Sequence, residues 1–136
     1  MLYFKSIIIG KGSVGSALFN ALKATYEDTV IRDKWRFQKE NEMFPIQTDF
    51  LHICFPYFED FVTQVKKYQK QYKPKYTIIY SNVPEGVSRE CNATHSPILV
   101  EHSRLEKEFK DFARVLSGKQ ANELAEYFQN AGFKTE

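Results

Sequence analysis

Cysteine is scarce: Cys54 and Cys91 are the only two in 136 residues. Two thiols cannot build a disulfide framework, and they do not form a Cys-x-x-Cys pair, so a zinc ribbon or a dithiol redox motif is excluded. A reduced, cytoplasmic setting is the expectation that follows. An excess of one charge is also missing. Lys and Arg number 19 against 17 Asp and Glu, a formal net charge of +2. That balance argues against nucleic acid or an anionic membrane as a partner. No apolar run reaches membrane-spanning length, and the first residues lack the layout of a secretory signal. Repeats and low-complexity segments are absent. Hydrophobic residues nevertheless make up 43% of the chain, aromatics 15%. A single globular domain over residues 1–136 is the expectation, with enough length to bury a proper core.

Glycine is also sparse, yet half of the six glycines fall close together near the start. Ile7-Ile8-Ile9 runs straight into Gly10-Lys11-Gly12-Ser13-Val14-Gly15, and a helical pattern follows at once, with Val14, Leu18, Ala21 and Leu22 on one face. Strand, Gly-x-Gly-x-x-Gly and helix in that order make the phosphate-binding turn of a Rossmann unit. Gly10 lets the chain turn sharply out of the strand. Gly12, without a Cβ, lets a pyrophosphate approach the main chain. Gly15 lets the helix press against the strand. The helix start offers free N–H groups and a partial positive charge, and Ser13 or Ser16 can add a hydroxyl donor. Thr29 to Asp33 reads as a second strand ending in an acid. Asp33 stands eighteen residues after Gly15, where a carboxylate takes ribose hydroxyls. That favours NAD, although Arg32, Lys34 and Arg36 around it keep NADP open.

Further on, Asp49 to Pro56 reads as a strand buried on both faces. A helix is expected over Phe58 to Tyr72, with Phe58, Phe61, Val62, Val65 and Tyr68 inward. Tyr76 to Ser81 is the next strand, Pro84 to Ser88 opens a short helical turn, and Pro97 to Val100 is extended. Leu105 to Phe112 reads as helix, Ala113 to Ser117 as strand and Gln120 to Ala131 as helix, with Gly132 as its C-cap. A reduced strand near Phe44 to Gln47 and a truncated one from Phe133 complete the reading. This alternation predicts a three-layer α/β/α Rossmann-like domain with a mostly parallel, twisted sheet.

The order of these motifs resembles the N-terminal NAD-binding domain of the nucleotide-sugar 6-dehydrogenases (UDP-glucose and GDP-mannose dehydrogenases). The likeness rests on the glycine loop with Asp33 and on Cys54-Phe55-Pro56, similar to a family strand ending in Val-Pro. It rests further on Tyr80-Ser81-Asn82-Val83-Pro84-Glu85-Gly86-Val87, similar to Ser-Thr-Val-Pro-Pro-Gly-Thr. Ser96-Pro97 is similar to Ser-Pro-Glu, and Ala113 to Gly118 to an Arg-Ile-Val-Ile-Gly strand. The resemblance implies a dinucleotide held by Gly10, Gly12, Ser13, Val14, Gly15 and Asp33, with Phe55, Pro56, Ser81 and Asn82 on the rim nearest the nicotinamide. It also shows departures. Asn82 replaces the family's Thr, and Ile98 replaces its catalytic Glu, so no proton-moving group stands there. The family's sugar-binding domain, with its nucleophilic Cys, has no counterpart before Glu136. The resemblance therefore implies the cofactor half of an oxidoreductase that works with a separate substrate-domain chain or as a homodimer. Two alternatives stay open: a non-catalytic scaffold or regulatory domain that kept the fold, and a module binding S-adenosylmethionine.

No catalytic residue can be assigned. His52 lies inside an apolar strand and reads as a hydrogen-bonded core residue. His95 and His102 flank Ser96-Pro97 without an identifiable partner. Cys91, His95 and His102 lack a fourth ligand for a tetrahedral metal, so no metal is expected. The lysines between Lys66 and Lys75 fall on the outer face and end of a helix, where the macrodipole favours cations. They read as a solvated surface.

Overall fold

Ser6 and the β-branched run Ile7 to Ile9 form an interior strand, β1 (Ser6–Ile9), and all four residues are buried. A strand covered on both faces reads as a near-continuous apolar run, which Ile7 to Ile9 supply, while the buried Ser6 hydroxyl is bonded to that of Tyr127. The computed structural model describes residues 4–32, 48–97 and 121–133. Along the chain β1 is followed by α1 (Ser13–Lys23), β2 (Thr29–Arg32), β3 (Phe50–Ile53), α2 (Phe61–Tyr72), β4 (Tyr76–Ile79), α3 (Val87–Glu90), β5 (Thr94–His95) and α4 (Ala121–Asn130). The sheet runs β2-β1-β3-β4-β5, and every described pair is parallel. In register, Ile8 lies beside Ile31 on one flank and His52 on the other.

The period of two divides the sheet's side chains between its faces. Ile8, Phe50, Ile78 and Tyr80 meet α1 and α4 through Leu18, Leu22, Leu124, Tyr127 and Phe128. Ile7, Ile9, Leu51, Ile53 and Ile79 meet α2 and α3 through Phe61, Val65, Tyr68, Tyr72 and Val87. The result is the expected sandwich of helices, sheet and helices. Aromatic rings fill much of the first layer: Phe50 stacks on Tyr127 with centroids 3.7 Å apart, and Tyr127 on Tyr26 at 4.5 Å.

Most expected elements are present, with shorter ends. Helix α1 starts at Ser13 within the glycine turn, as expected, whereas α2 begins at Phe61, three residues late, with Phe58 only partly buried against the core. The lysines Lys66, Lys67 and Lys70 are exposed, as their spacing predicts. Helix α4 ends as expected: Gly132 takes φ +89, and the Phe133 N–H bonds the Phe128 carbonyl at 3.0 Å. The strand beside β4 is Thr94–His95, which the sequence pattern did not mark, and of the extended segment expected over Pro97 to Val100 only Pro97 is among the described residues. Proline has no N–H to give a ladder, so pairing stops before it. The expected elements at 34–48 lie outside the described residues except for Thr48, as do Ile98 and the segments over 105–117.

Candidate functional site at the sheet's switch point

The chain leaves β1 to one side for β2 and returns on the other side as β3. Loops after β1 and β3 therefore diverge at the carboxyl edge between these strands, the position at which open parallel sheets hold ligands. The turn after β1 is fixed by close packing. Gly10 has φ +117, and a Cβ there would lie 2.9 Å from the Cys54 carbonyl carbon and 3.0 Å from the Phe55 nitrogen. Only glycine combines that φ with that approach. A Cβ on Gly15 would lie 1.7 Å from the Gly10 carbonyl oxygen. The helix thus sits directly on the turn, more than on the strand that the spacing alone suggested.

Gly12 is different. A Cβ built on it meets nothing within 4 Å. It precedes α1 in extended conformation, gives no side-chain cap, and no acidic residue occupies the first turn. The first helical bond runs from the Ser16 N–H to the Gly12 carbonyl at 3.0 Å. The N–H groups before it belong to a helix start that no side chain caps among the described residues. Ser13 is exposed and Val14 half-buried. Ser16 turns its hydroxyl back toward the Lys11 carbonyl, at 3.5 Å, which leaves Ser13 as the hydroxyl facing solvent.

The neighbouring loops are tied together. The Ser81 hydroxyl donates to the Phe55 carbonyl, joining the ends of β3 and β4. His95 Nε2 lies 2.8 Å from the Ser81 carbonyl. A carbonyl only accepts, so Nε2 carries the proton in this pair. Phe55 reaches the rim through its main chain alone. Its ring is buried beneath α2, with centroids 5.3 Å from Phe61 and 6.1 Å from Tyr68. Pro56 and Asn82 are exposed. Ser96 is fully buried, and its hydroxyl has no partner among the described residues. Replacing Ser81 by Ala removes one half-buried hydrogen bond, so denaturant unfolding should register a loss of about 1 kcal/mol.

Of the residues expected to hold a dinucleotide, Gly10, Gly12, Ser13, Val14 and Gly15 thus form one turn. Phe55, Pro56, Ser81 and Asn82 lie on the adjoining loops of the same edge. Asp33, the acid expected to take the ribose hydroxyls, lies outside the described residues, and so does His102. His52 is not at the edge. It is fully buried, with Nδ1 2.7 Å from the Tyr80 hydroxyl and Nε2 3.1 Å from that of Tyr127. Tyr127 also meets the Ser6 hydroxyl at 2.9 Å. Burial drives the imidazole down to about 3 and raises the Tyr127 phenol well above its ordinary value. The apolar strand around His52 pointed to a bonded core histidine. Its partner on α4 is too distant in sequence for any local pattern to reveal.

No family model matches the sequence, and no curated protein matches it either. Solved structures do match its fold. They include a UDP-D-ManNAc dehydrogenase from Pyrococcus horikoshii, with TM-score 0.69 and 15% identity over 96% of this chain and 46% of that one. A 3-hydroxyisobutyrate dehydrogenase from Mycobacterium tuberculosis matches with TM-score 0.70 and 13% identity, over 99% and 54%. A Myxococcus stipitatus imine reductase variant, solved in complex with NAD+, matches with TM-score 0.65 and 12% identity, over 98% and 54%. The chain therefore spans about half the length of the structures it matches. Its fold is the Rossmann-like domain found among dehydrogenases and reductases.

Proposed function

We propose that this chain is a nicotinamide-dinucleotide-binding domain, the cofactor half of an oxidoreductase related to the nucleotide-sugar dehydrogenases. The observation that carries the reading is Gly12: an open, Cβ-free position on a rigid turn, followed by an uncapped helix start at the switch point. This is the cradle a diphosphate needs, because main-chain N–H groups and the helix dipole both favour an anion there. Gly12, Ser13, Val14 and Gly15 would hold the diphosphate, and Asp33 the adenosine ribose, which favours NAD over NADP. Ser81 and Asn82 would border the nicotinamide end. The dinucleotide supplies hydride chemistry when bound. This chain's own residues would hold and orient it.

At the rim the His95 ring is tied through Nε2 to the Ser81 carbonyl, and no catalytic acid or base is assigned to this chain. Turnover would then draw on a second copy of the chain or on a separate substrate-domain chain. Ile98, standing where the resembling family has its catalytic Glu, favours a second reading, a regulatory domain that binds the dinucleotide without turning it over. The deciding experiment is fluorescence titration with NADH and NADPH. NADH should saturate the chain and bind more tightly than NADPH. Gly12→Val should weaken NADH by about tenfold or more, because its methyl groups occupy the diphosphate approach. Its melting temperature should fall only by the modest cost of valine at an N-cap, since a Cβ at Gly12 meets no described neighbour within 4 Å. A chain that saturates with neither nucleotide would refute the proposal.

A further inference from the structure

At the amino edge of the sheet, opposite the glycine turn, lies a cavity of about 290 Å³ lined by Phe4, Asp49, Phe50, Lys75, Tyr76, Glu126, Tyr127 and Asn130. Its walls are aromatic. Phe50 stacks against Tyr76 with centroids 5.3 Å apart and against Tyr127 at 3.7 Å, while Phe4 meets Phe50 edge-on at 5.1 Å. Phe50 and Tyr127 are almost fully buried and make the floor, and the half-buried Phe4 and Tyr76 make the sides. A dry cavity of about 150 Å³ already accepts benzene, so this one has room for a substituted ring with a short arm.

The rim selects charge. Asp49 and Glu126 bring two carboxylates against the single ammonium of Lys75. One oxygen of Asp49 accepts the Lys5 main-chain N–H at 2.8 Å. Neither carboxylate has an ion-pair partner among the described residues. Ring faces carry negative potential and attract cations within about 6 Å of the centroid. The chain's own Lys75 illustrates this, with Nζ 5.4 Å from the Tyr76 centroid. Aromatic faces, two carboxylates and a net negative rim are complementary to a positive charge on an apolar body.

We propose that this amino-edge cavity is a second ligand site, one that takes a small organic ammonium ion with an aromatic or apolar body. The ring or chain lies between the half-buried Phe4 and Tyr76, above the floor made by Phe50 and Tyr127, and the ammonium group faces Asp49 and Glu126. The site lies at the far end of the strands from the glycine turn and shares no residue with it.

Tyramine is the probe, with 3-(4-hydroxyphenyl)propionate as its anionic counterpart. Both are titrated calorimetrically into the cofactor-free full chain. Tyramine should bind saturably, and the anion about tenfold more weakly or not at all. Glu126→Gln and Asp49→Asn should each weaken tyramine by about threefold to tenfold, as expected for charge-assisted contacts at a partly solvated rim. Asparagine can still accept the Lys5 N–H, and Glu126 is exposed, so both variants should melt near the parent temperature. Absence of saturation by tyramine overturns the proposal. So does equal affinity for the anion, or unchanged tyramine affinity in a folded Asp49→Asn/Glu126→Gln double variant. The readout needs no nucleotide, so its failure is separable from failure of the dinucleotide reading.

Discussion

Gly15→Ala should unfold much of this domain at physiological temperature, the largest effect expected of any single methyl group in it. The new carbon would stand 1.7 Å from the Gly10 carbonyl oxygen and 2.9 Å from the Gly10 carbonyl carbon. Both are main-chain atoms, so no side chain can swing aside. The turn cannot yield on the other side either, because Gly10 is already in close contact with the Cys54 and Phe55 main chain. Relief requires α1 to lift away, which separates Leu18 and Leu22 from the sheet. Overpacking in a tolerant core costs 1–3 kcal/mol, and values above about 4 kcal/mol mark sites that cannot relax. A loss of about 4 kcal/mol or more is expected here, a large part of the 5–15 kcal/mol typical of a domain. Thermal unfolding followed by circular dichroism would show a fall in melting temperature of more than about 10 °C. A Gly15→Ala protein that melts with the parent would mean that the helix does not rest on the turn.

The contrast with Gly12 gives this result its functional weight. In one six-residue motif, Gly15 and Gly10 are filled up to contact by the chain itself, whereas Gly12 is open. Stability selection alone accounts for the first two glycines. Packing does not account for the third: a Cβ is sterically allowed there, and the preference of an N-cap for glycine over alanine is the stability reason that remains. An open glycine on an otherwise packed turn leaves the space that the proposed diphosphate would need.

Much of this arrangement was legible in the residues. Ile7 to Ile9 followed by Gly10 marks a buried strand and its turn without ambiguity, and α1 ends at Lys23 where its apolar period stops. The fully apolar stretch around Leu51 gave β3, and Gly132 marked the end of α4. Other features depend on contacts that no local pattern encodes. Thr94 and His95 form β5 by pairing with Ile78 and Ile79, although two residues carry almost no periodicity. The spacing of glycines gives the turn, but not that Gly15 packs on the carbonyl of Gly10. The amino-edge cavity joins Phe4, Phe50, Tyr76 and Tyr127, which come from four separate segments. Each of those aromatics reads alone as ordinary core.

His52 should make the domain acid-sensitive well above the carboxylate range. In the folded chain its imidazole is held down to about 3 by burial, against an ordinary 6.5. Between those values the unfolded chain binds a proton that the folded chain refuses, so stability falls as pH falls. The stabilisation is complete above the unfolded value and is lost progressively toward pH 3. For a shift of this size, about 2 kcal/mol should disappear between pH 8 and pH 5. Tyr80 and Tyr127 hold both ring nitrogens at 2.7 and 3.1 Å, so the neutral ring is the form the core accommodates. His52→Gln offers an amide in place of the imidazole, but cannot reproduce both contacts. It should lower stability at pH 8 by about 1–3 kcal/mol, the cost of a buried hydroxyl left without its partner. Its stability should then change far less than the parent's as pH falls to 5, because the group that refuses the proton is gone. Urea unfolding of both proteins across this range separates the two effects. Parallel pH profiles would show that the imidazole is protonated inside the fold, and that the cluster around Tyr127 is open to water.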